Sequence, residues 1–263
     1  MAAFSDTWRE EFLTALSFLT RLPTAWLRGQ PPEEPDVTTV VTLASCAWAF
    51  PLIGIVIGAA GGIAYSVAMA IDLPALAAAL IAVAATVLAT GGLHEDGLAD
   101  TLDGFGGGPD RESKLAIMRD SRSGAYGVLA LVFSVGLRAV ALNQIIEGWQ
   151  VLGTLIAAHA LARGFLPVVL RLLEPARSDG LGAQAGRPEP NMVLWSCGIA
   201  IVIALLGVGI RNGLAAAVCA ALVMAAFAWL AQRQIGGYTG DVLGAIEQMG
   251  EVTALLAIAA WAP

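Results

Sequence analysis

The sequence is short of charged residues. Asp, Glu, Lys and Arg make up 13% of its 263 residues, whereas soluble domains carry about 25%. Hydrophobic residues account for 57% of the chain, and its mean hydropathy is +0.75. This composition excludes an ordinary soluble domain. It predicts a polytopic membrane protein, because apolar runs long enough to cross a bilayer recur along the chain.

Cysteine and positive charge are also scarce. The three cysteines, Cys46, Cys197 and Cys219, lie in apolar runs without Cys-x-x-Cys spacing, so we expect small core residues and no metal site. The formal net charge of −7 excludes nucleic acid as a partner. Acidic residues stand near the N-terminus where a cleavable signal has basic ones, so we expect no such signal.

The apolar runs predict one all-α integral membrane domain, residues 1–263. About seven transmembrane helices are expected, at 40–70, 73–93, 126–146, 151–173, 192–210, 213–231 and 242–262. In the N-terminal region, 1–39, helical spacing of apolar residues between Trp8 and Trp26 predicts an amphipathic interfacial or re-entrant helix, ended or kinked by Pro23. Glycines in the first span favour close helix packing and permit a homo-oligomer without requiring one.

The positions of Lys and Arg predict the orientation. If the N-terminus is cytoplasmic, the segments 94–124, 174–191 and 232–241 share its side of the membrane. These segments, their flanks and the N-terminal region hold eleven of the fourteen Lys and Arg, whereas the opposite side has only Arg211. The positive-inside rule therefore predicts that the N-terminus and the dense polar motifs face the cytoplasm.

One acidic stretch, residues 91–108, interrupts the apolar pattern with the sequence GGLHEDGLADTLDGFGGG. On a helix, Asp96, Asp100 and Asp103 fall on one face, at i, i+4 and i+7. Three such carboxylates repel one another unless a cation lies between them, and oxygen ligands without cysteine favour Mg²⁺ or Mn²⁺ over zinc. A solvated acidic loop is the plainer alternative.

Glycines and then basic residues follow the acids within 94–124, which we expect to be a cytoplasmic catalytic loop. Glycine runs bring backbone N–H groups close to an anion, and basic side chains suit phosphate oxygens; these are Arg111, Lys114, Arg119 and Arg122. This order is the composition expected at a metal-assisted diphosphate site. The positive-inside rule alone also explains the basic residues. Asp120 is interpreted as a metal ligand or an ion-pair partner.

Ionisable residues also lie inside predicted spans. Charge is costly in lipid, so Arg138, His159 and Arg163 should face the protein interior, although Arg163 could instead snorkel to the interface. His159 shares a helix face with Arg163 and is either a satisfied interior histidine or a catalytic one.

The last predicted helix carries three acids near its start. Glu247 and Glu251 are spaced i, i+4, and Asp241 precedes them. They are either an N-cap with two interior acids or a second acidic wall for the same cytoplasmic site.

These motifs resemble the signature of the cobalamin synthase family, also called adenosylcobinamide-GDP ribazoletransferases. The central match is GGLHEDGLADTLDGFGGG followed by KLAIMRDSRSGAYGVLAL, and SFLTRLPT, FPLIGIVIG and GGYTGDVLGAIEQMGE are similar in the same order. The resemblance implies an enzyme of the bacterial cytoplasmic (inner) membrane. It would join adenosylcobinamide-GDP to α-ribazole, or its 5′-phosphate, and release GMP with Mg²⁺.

Motif position then assigns expected roles. The resemblance and the residue chemistry together predict Mg²⁺ ligands at Glu95, Asp96, Asp100, Asp103 and Asp120. They predict catalytic residues at Asp100, Asp103 and Arg119. They predict substrate-binding residues at Gly106, Gly107, Lys114, Arg122, Gly124, Arg163 and Asp241. The motif departs from the family at Glu95, where an apolar residue is more frequent.

Two other functions stay open. The segment ADTLDG is weakly similar to the start of the CDP-alcohol phosphatidyltransferase motif, although the rest of that motif is absent. A phospholipid head-group transferase is therefore one alternative. A divalent-cation transporter is the other, but its ligands should lie near mid-membrane, whereas these acids follow a predicted span.

Overall fold

Helices dominate the computed structural model, which describes residues 2–24, 27, 41–145 and 148–261. Within these ranges, a 3-10 helix at Ser45–Ala49 accompanies α1 (Ala2–Leu19), α2 (Phe50–Ala70), α3 (Ala75–Thr90), α4 (Leu93–Gly107), α5 (Arg111–Ile117), α6 (Ala125–Asn143), α7 (Gly148–Gly164), α8 (Leu166–Leu172), α9 (Leu181–Gln184), α10 (Pro190–Ile235) and α11 (Gly240–Ala259). The only β pairing in these ranges is an isolated bridge between Pro175 and Tyr238. The predicted all-α membrane fold is confirmed.

Several helices are long and apolar enough to cross a membrane. By length and composition, the described residues contain five such segments: Ser45–Ala70, Ala125–Asn143, Trp149–Leu172, Pro190–Ile235 and Gly240–Ala259. The bent pair α3 and α4 would make a sixth. The prediction of seven spans requires α10 to cross twice and α3 to cross without α4.

A backbone break divides α10. Gly209 has φ 81° and ψ 165°, which no helix contains. A Cβ built on Gly213 would lie 2.9 Å from the carbonyl carbon of Ala204, whereas nine residues of straight helix span about 13 Å. The chain therefore reverses direction at Gly209, near the end of the predicted span 192–210 and before the span 213–231.

Helices α2 and α7 pack closely through glycines. A Cβ on Gly54 would lie 2.6 Å from the Cα of Ala160, and one on Gly58 would lie 2.6 Å from the Cα of Ile156. Only a hydrogen fits at these positions. The expected close helix packing is thus found within the chain, and the homo-oligomer stays a prediction.

The N-terminal helix α1 differs in extent from the helix predicted between Trp8 and Trp26. It begins at Ala2 and ends at Leu19, before Pro23. Leu13, Leu16 and Leu19 are buried against the bundle. The apolar face of α1 therefore packs on protein, and residues 25 and 26 lie outside the described ranges.

The chain bends by 92° between α3 and α4. Gly91 and Gly92 form the bend with φ of 69° and 71°, left-handed values that glycine adopts without steric cost. The segment 94–124, predicted as a loop, is mainly helical because α4 and α5 occupy most of it. Helix α4 thus presents its acids from a regular element.

Two loops pair near the start of α11. Ala176 donates its backbone N–H to the Tyr238 carbonyl at 2.8 Å, and Tyr238 donates to the Glu174 carbonyl at 3.1 Å. Arg111 joins this region to the end of α10 by donating to the backbone carbonyls of Ala176 and Ile235. The pairing holds Arg177 beside the first turn of α11.

Candidate functional site

Close contact between α4 and α11 builds an acidic group. A Cβ on Gly97 would lie 2.6 Å from the Asp241 carbonyl oxygen, and one on Gly244 would lie 3.4 Å from the Gly97 Cα. The two glycines let the backbones touch, which brings Asp241 to the face of α4 that carries Asp96 and Asp100. We call these three acids the aspartate group.

One arginine pairs with this group. Arg177 Nη2 donates to Asp241 Oδ2 at 3.2 Å, and the Thr239 hydroxyl donates to the same oxygen at 3.1 Å. Thr239 also caps α11, because its hydroxyl oxygen accepts from the Val242 N–H at 3.2 Å. Asp241 is therefore not the N-cap that was one alternative, and it belongs to the acidic wall.

Several neighbouring charges act on Asp100. It is half-buried, and it experiences the negative charges of Asp96, Asp241 and Asp103 together with the positive charge of Arg177. Carboxylates outnumber cations here, so a bound cation would relieve their repulsion.

A cavity of about 370 Å³ opens at the aspartate group. Its charged lining comes from Asp96, Asp241 and Arg177, with His94 beside them. Its apolar lining comes from α1, the segment that enters α2, and α8, at Phe18, Leu19, Leu43, Phe50, Leu166 and Leu170. A few polar groups at one apolar cavity are typical of a small-molecule site.

Asp103 binds backbone at the start of α6. Its Oδ2 accepts from the Gly124 N–H at 2.6 Å, and its Oδ1 accepts from the Gly127 N–H at 2.9 Å. A Cβ on either glycine would approach the carboxylate to 2.4 Å. A carboxylate at a helix N-terminus is favourable. The geometry thus supports a structural contact for Asp103 and Gly124 in place of their predicted catalytic, metal and substrate roles.

Glu95 is turned away from the aspartate group. It is buried, and its Oε1 accepts from Arg138 Nη1 at 3.0 Å. The same guanidinium nitrogen donates to Glu251 Oε1 at 3.2 Å. Because Arg138 already neutralises Glu95 inside the protein, the geometry does not support Glu95 as a metal ligand.

Arg163 belongs to the same buried network. Its Nη1 lies 2.5 Å from Glu247 Oε1 and 2.9 Å from His159 Nδ1. Arg138, His159 and Arg163 are each 1% exposed, which confirms that they face the protein interior. A guanidinium paired in this way is not open to substrate, so the predicted substrate role of Arg163 is not supported.

Glu247 and Glu251 are interior acids rather than part of the cavity. With His159 they form the one trio, within the described residues, whose ligand atoms all lie within 4.8 Å of one another. Arg163 and Arg138 already pair with the two glutamates, so a metal ion would have to displace a guanidinium. We interpret this trio as part of a structural ion-pair network.

The aspartate group is spaced more widely than that trio. Mg²⁺ usually keeps several water ligands and binds one or two carboxylates together with substrate phosphate, so it does not require three protein ligands in one tight cluster. The donor chemistry is also appropriate, because all three side chains offer carboxylate oxygens.

The basic residues after α5 form ion pairs at the surface. Arg119 Nη2 lies 2.7 Å from both carboxylate oxygens of Asp179, and Arg122 Nη2 lies 2.5 Å from Asp120 Oδ2. Hydrogen bonds from Arg122 hold the pKa of Asp120 below its usual value. Asp120 is therefore an ion-pair partner, and none of these four residues lines the cavity described here.

Gly106 and Gly107 lie in the last turn of α4. The free backbone groups at that end of a helix are carbonyl oxygens, so the two glycines do not form the expected N–H cradle for phosphate. A Cβ on Gly106 would lie 2.6 Å from the Tyr126 ring, and one on Gly108 would meet the Lys114 side chain at 2.6 Å. These glycines permit close packing, and Lys114 covers the helix end.

Sequence reasoning missed Arg177 as a site residue. It stands in a polar loop among other charged residues, where the positive-inside rule already explains an arginine. Only the backbone pairing at Ala176 and Tyr238 shows that it lies beside Asp241. The GGYTGD motif identified Asp241 as a candidate acid but gave no signal for its partner, Arg177.

The comparisons with known proteins agree with one another. The cobalamin-5-phosphate synthase family matches the chain over residues 11–259. Relatives named adenosylcobinamide-GDP ribazoletransferase from Bradyrhizobium diazoefficiens, Mesorhizobium japonicum and Azorhizobium caulinodans are 44%, 43% and 41% identical. Each match covers 94% of this chain, and it covers 92%, 92% and 94% of these relatives respectively. No solved structure matches the chain.

Proposed function

The chain belongs to the cobalamin-5-phosphate synthase family, and we propose that it acts as an adenosylcobinamide-GDP ribazoletransferase. A ribose hydroxyl of α-ribazole, or of its 5′-phosphate, bonds to the phosphorus that carries adenosylcobinamide. The bond from this phosphorus to the GMP oxygen breaks, GMP leaves, and the hydroxyl gives up its proton. The observation that carries the proposal is the cavity that joins Asp96, Asp241 and Arg177 to an apolar wall.

Mg²⁺ fits the aspartate group as a cofactor. Three carboxylates face one guanidinium, Arg177, and all three offer the hard oxygen ligands that Mg²⁺ prefers. Asp96 and Asp241, which line the cavity, would hold the ion, and Asp100 beside them would remain free to accept a proton. When bound, Mg²⁺ neutralises charge on the diphosphate and on the departing GMP.

Arg177 takes the place that we predicted for Arg119. Its Nη2 pairs with Asp241, and its Nη1 is buried without a hydrogen-bond partner among the described residues. Buried donors are normally satisfied. A phosphate oxygen would accept a charge-assisted bond from Nη1, so Arg177 holds and orients the diphosphate.

Asp100 is the proposed proton acceptor. Burial and neighbouring negative charges both make a carboxylate a stronger base, and both act on Asp100. A base positioned on the attacking hydroxyl contributes roughly a hundred- to ten-thousandfold to rate.

We propose that the site faces the cytoplasm of a bacterial inner membrane. The cavity lies at the end of the bundle where the 174–189 loop meets the start of α11, and eleven of the fourteen Lys and Arg belong to the segments predicted on that side. Both substrates are polar, so an active site there is reached from water.

The test uses the full chain purified in detergent. With adenosylcobinamide-GDP, α-ribazole and Mg²⁺, chromatography should detect adenosylcobalamin and GMP. Chelation with EDTA should stop the reaction, and added Mg²⁺ should restore it. No product from the wild type would reject the transferase, and full activity in EDTA would reject the metal.

The same preparation separates the alternatives. Turnover of CDP-diacylglycerol in place of the corrinoid would indicate a phospholipid head-group transferase. Flux of a divalent cation into proteoliposomes, without any transfer activity, would indicate a transporter.

A further inference from the structure

The cavity at the aspartate group is too small to hold both substrates together. Besides Leu93 and Leu243, its apolar lining comes from three elements that are distant in sequence: Phe18 and Leu19 of α1, Leu43 and Phe50 of the segment that leads into α2, and Leu166 and Leu170 of α8. None of these six side chains can form a hydrogen bond. The ligand part that lies against them must therefore be apolar, since an unpaired polar group is costly to bury.

Size excludes the corrinoid from this space. The cavity measures about 370 Å³. Ribazole has about twenty non-hydrogen atoms, which occupy roughly 350 Å³ at the packing density of protein interiors. Adenosylcobinamide has roughly four times as many atoms, so its corrin ring lies outside.

The polarity of the cavity lining argues against the guanine base of the GDP group as its occupant. Guanine carries hydrogen-bond donors and acceptors along its edge, and a site that binds it supplies matching partners. The charged lining offers such partners only at the aspartate group, and the apolar lining supplies none. The base of ribazole is a dimethylbenzimidazole, whose outer edge consists of aromatic carbon and two methyl groups, and this edge matches leucine and phenylalanine.

We propose that the cavity is the subsite for the acceptor nucleoside, with the benzimidazole against the apolar lining and the ribose at the aspartate group; this rests on the proposed function. The charged lining then meets the ribose, and the attacking hydroxyl lies at the acids that would accept its proton. The GDP-linked phosphate approaches from the side of Arg177, and the corrin ring stays outside the cavity mouth.

Two substitutions test this subsite from different elements. Leu243→Trp fills the cavity from α11, and Phe18→Ala removes an aromatic wall on α1. Leu256→Trp is the matched control, because Leu256 lies on α11 and is exposed on the outside of the bundle. Calorimetry on the full chain in detergent with Mg²⁺ measures the binding of α-ribazole and, separately, of GDP.

We expect both cavity variants to bind α-ribazole roughly ten- to a hundredfold more weakly, the usual effect of altering an apolar pocket. Their GDP affinity should match that of the wild type, which also shows that they are folded. Leu256→Trp should bind both ligands normally.

The opposite pattern, with GDP weakened and α-ribazole unchanged, would assign the cavity to the guanine nucleotide and overturn the proposal. Unchanged α-ribazole affinity in both variants would overturn it as well. If Leu243→Trp binds neither ligand, the Phe18→Ala variant alone decides, by the same comparison of its affinities for α-ribazole and GDP. A wild-type chain that binds neither ligand would instead reject the proposed function.

Discussion

Asp100 and Asp103 lie one turn apart on α4, and their surroundings give them different tasks. Asp100 is half-buried and experiences the charges of Asp96 and Asp241, which line the cavity, whereas both oxygens of Asp103 accept backbone N–H groups at the start of α6. A carboxylate without such bonds is available for chemistry. One that accepts two of them holds two helices together.

Replacing Asp100 should therefore remove activity without unfolding the protein. For Asp100→Asn we expect transfer to fall roughly a hundred- to ten-thousandfold, because the amide cannot accept the hydroxyl proton. Product formation by purified, membrane-inserted protein measures this.

Asp110→Asn is the matched control. Asp110 caps α5 by accepting from the Ser113 N–H at 2.8 Å, and asparagine caps helices equally well. The Asp110→Asn substitution removes one negative charge, as Asp100→Asn does, but at a position away from the cavity. Comparable losses in the two variants would show that Asp100 acts only through overall charge.

Replacing Asp103 should reduce stability. In Asp103→Ala, the Gly124 and Gly127 N–H groups lose their acceptor, which we expect to cost about 2–4 kcal/mol. Thermal unfolding followed by tryptophan fluorescence in detergent should show a lower midpoint. Asp100→Ala should not lower it, since that change removes a carboxylate from like-charged neighbours. Equal midpoints for the two variants would contradict the structural role of Asp103.

At the scale of elements, buried ion pairs hold α4, α6, α7 and α11 in register. Arg138 of α6 reaches Glu95 of α4 and Glu251 of α11, and Glu251 lies 3.2 Å from His159 of α7. Helical periodicity placed these residues in the interior but could not pair them, because each partner comes from a different helix.

Removing the shared arginine should destabilise the bundle. Arg138→Met leaves two buried carboxylates without a cation, which we expect to cost about 3–5 kcal/mol. The double variant Arg138→Met/Glu251→Gln should recover part of this loss, because one of the two unpaired charges is gone. Thermal unfolding compares the three proteins.

Arg211→Met is the control for that comparison. Arg211 stacks on Trp261 at 4.3 Å near the opposite end of the bundle, where it is exposed. Its replacement should change the unfolding midpoint little. A double variant no more stable than Arg138→Met would contradict the pairing with Glu251.

At the scale of the molecule, the fold gathers its functional groups at one end of the bundle. The bend after α3, the 174–189 loop and the first turn of α11 all lie there, while Asp72 and the break at Gly209 belong to the other end. The positive-inside pattern predicts that the first end is cytoplasmic.

Thiol labelling on intact cells tests this orientation. The three native cysteines are first replaced by alanine, and single cysteines are placed at Gln184 in α9 and at Asp72 between α2 and α3, both exposed. A membrane-impermeant reagent should label Asp72→Cys in intact cells and Gln184→Cys only after permeabilisation. The reverse pattern would place the site outside the cytoplasm.

The sequence alone determined the membrane class, the helical fold, the family and the stretch that supplies two of the three site aspartates. Apolar run length, helical spacing and a long motif are properties of consecutive residues, so they need no knowledge of distant contacts. The same reasoning placed Arg138, His159 and Arg163 inside the protein, because lipid excludes charge wherever the partner lies.

Only the tertiary structure decided which of these residues remain available to a ligand. Spacing along α4 shows that Asp96, Asp100 and Asp103 share a face, but it does not show that the α6 N-terminus occupies Asp103. Nor could it show that Asp241 and Arg177 join that face through a glycine contact and a loop pairing. A carboxylate is a metal ligand, a cap or an ion-pair partner according to what lies opposite it, and that is set by the packing of helices distant in sequence.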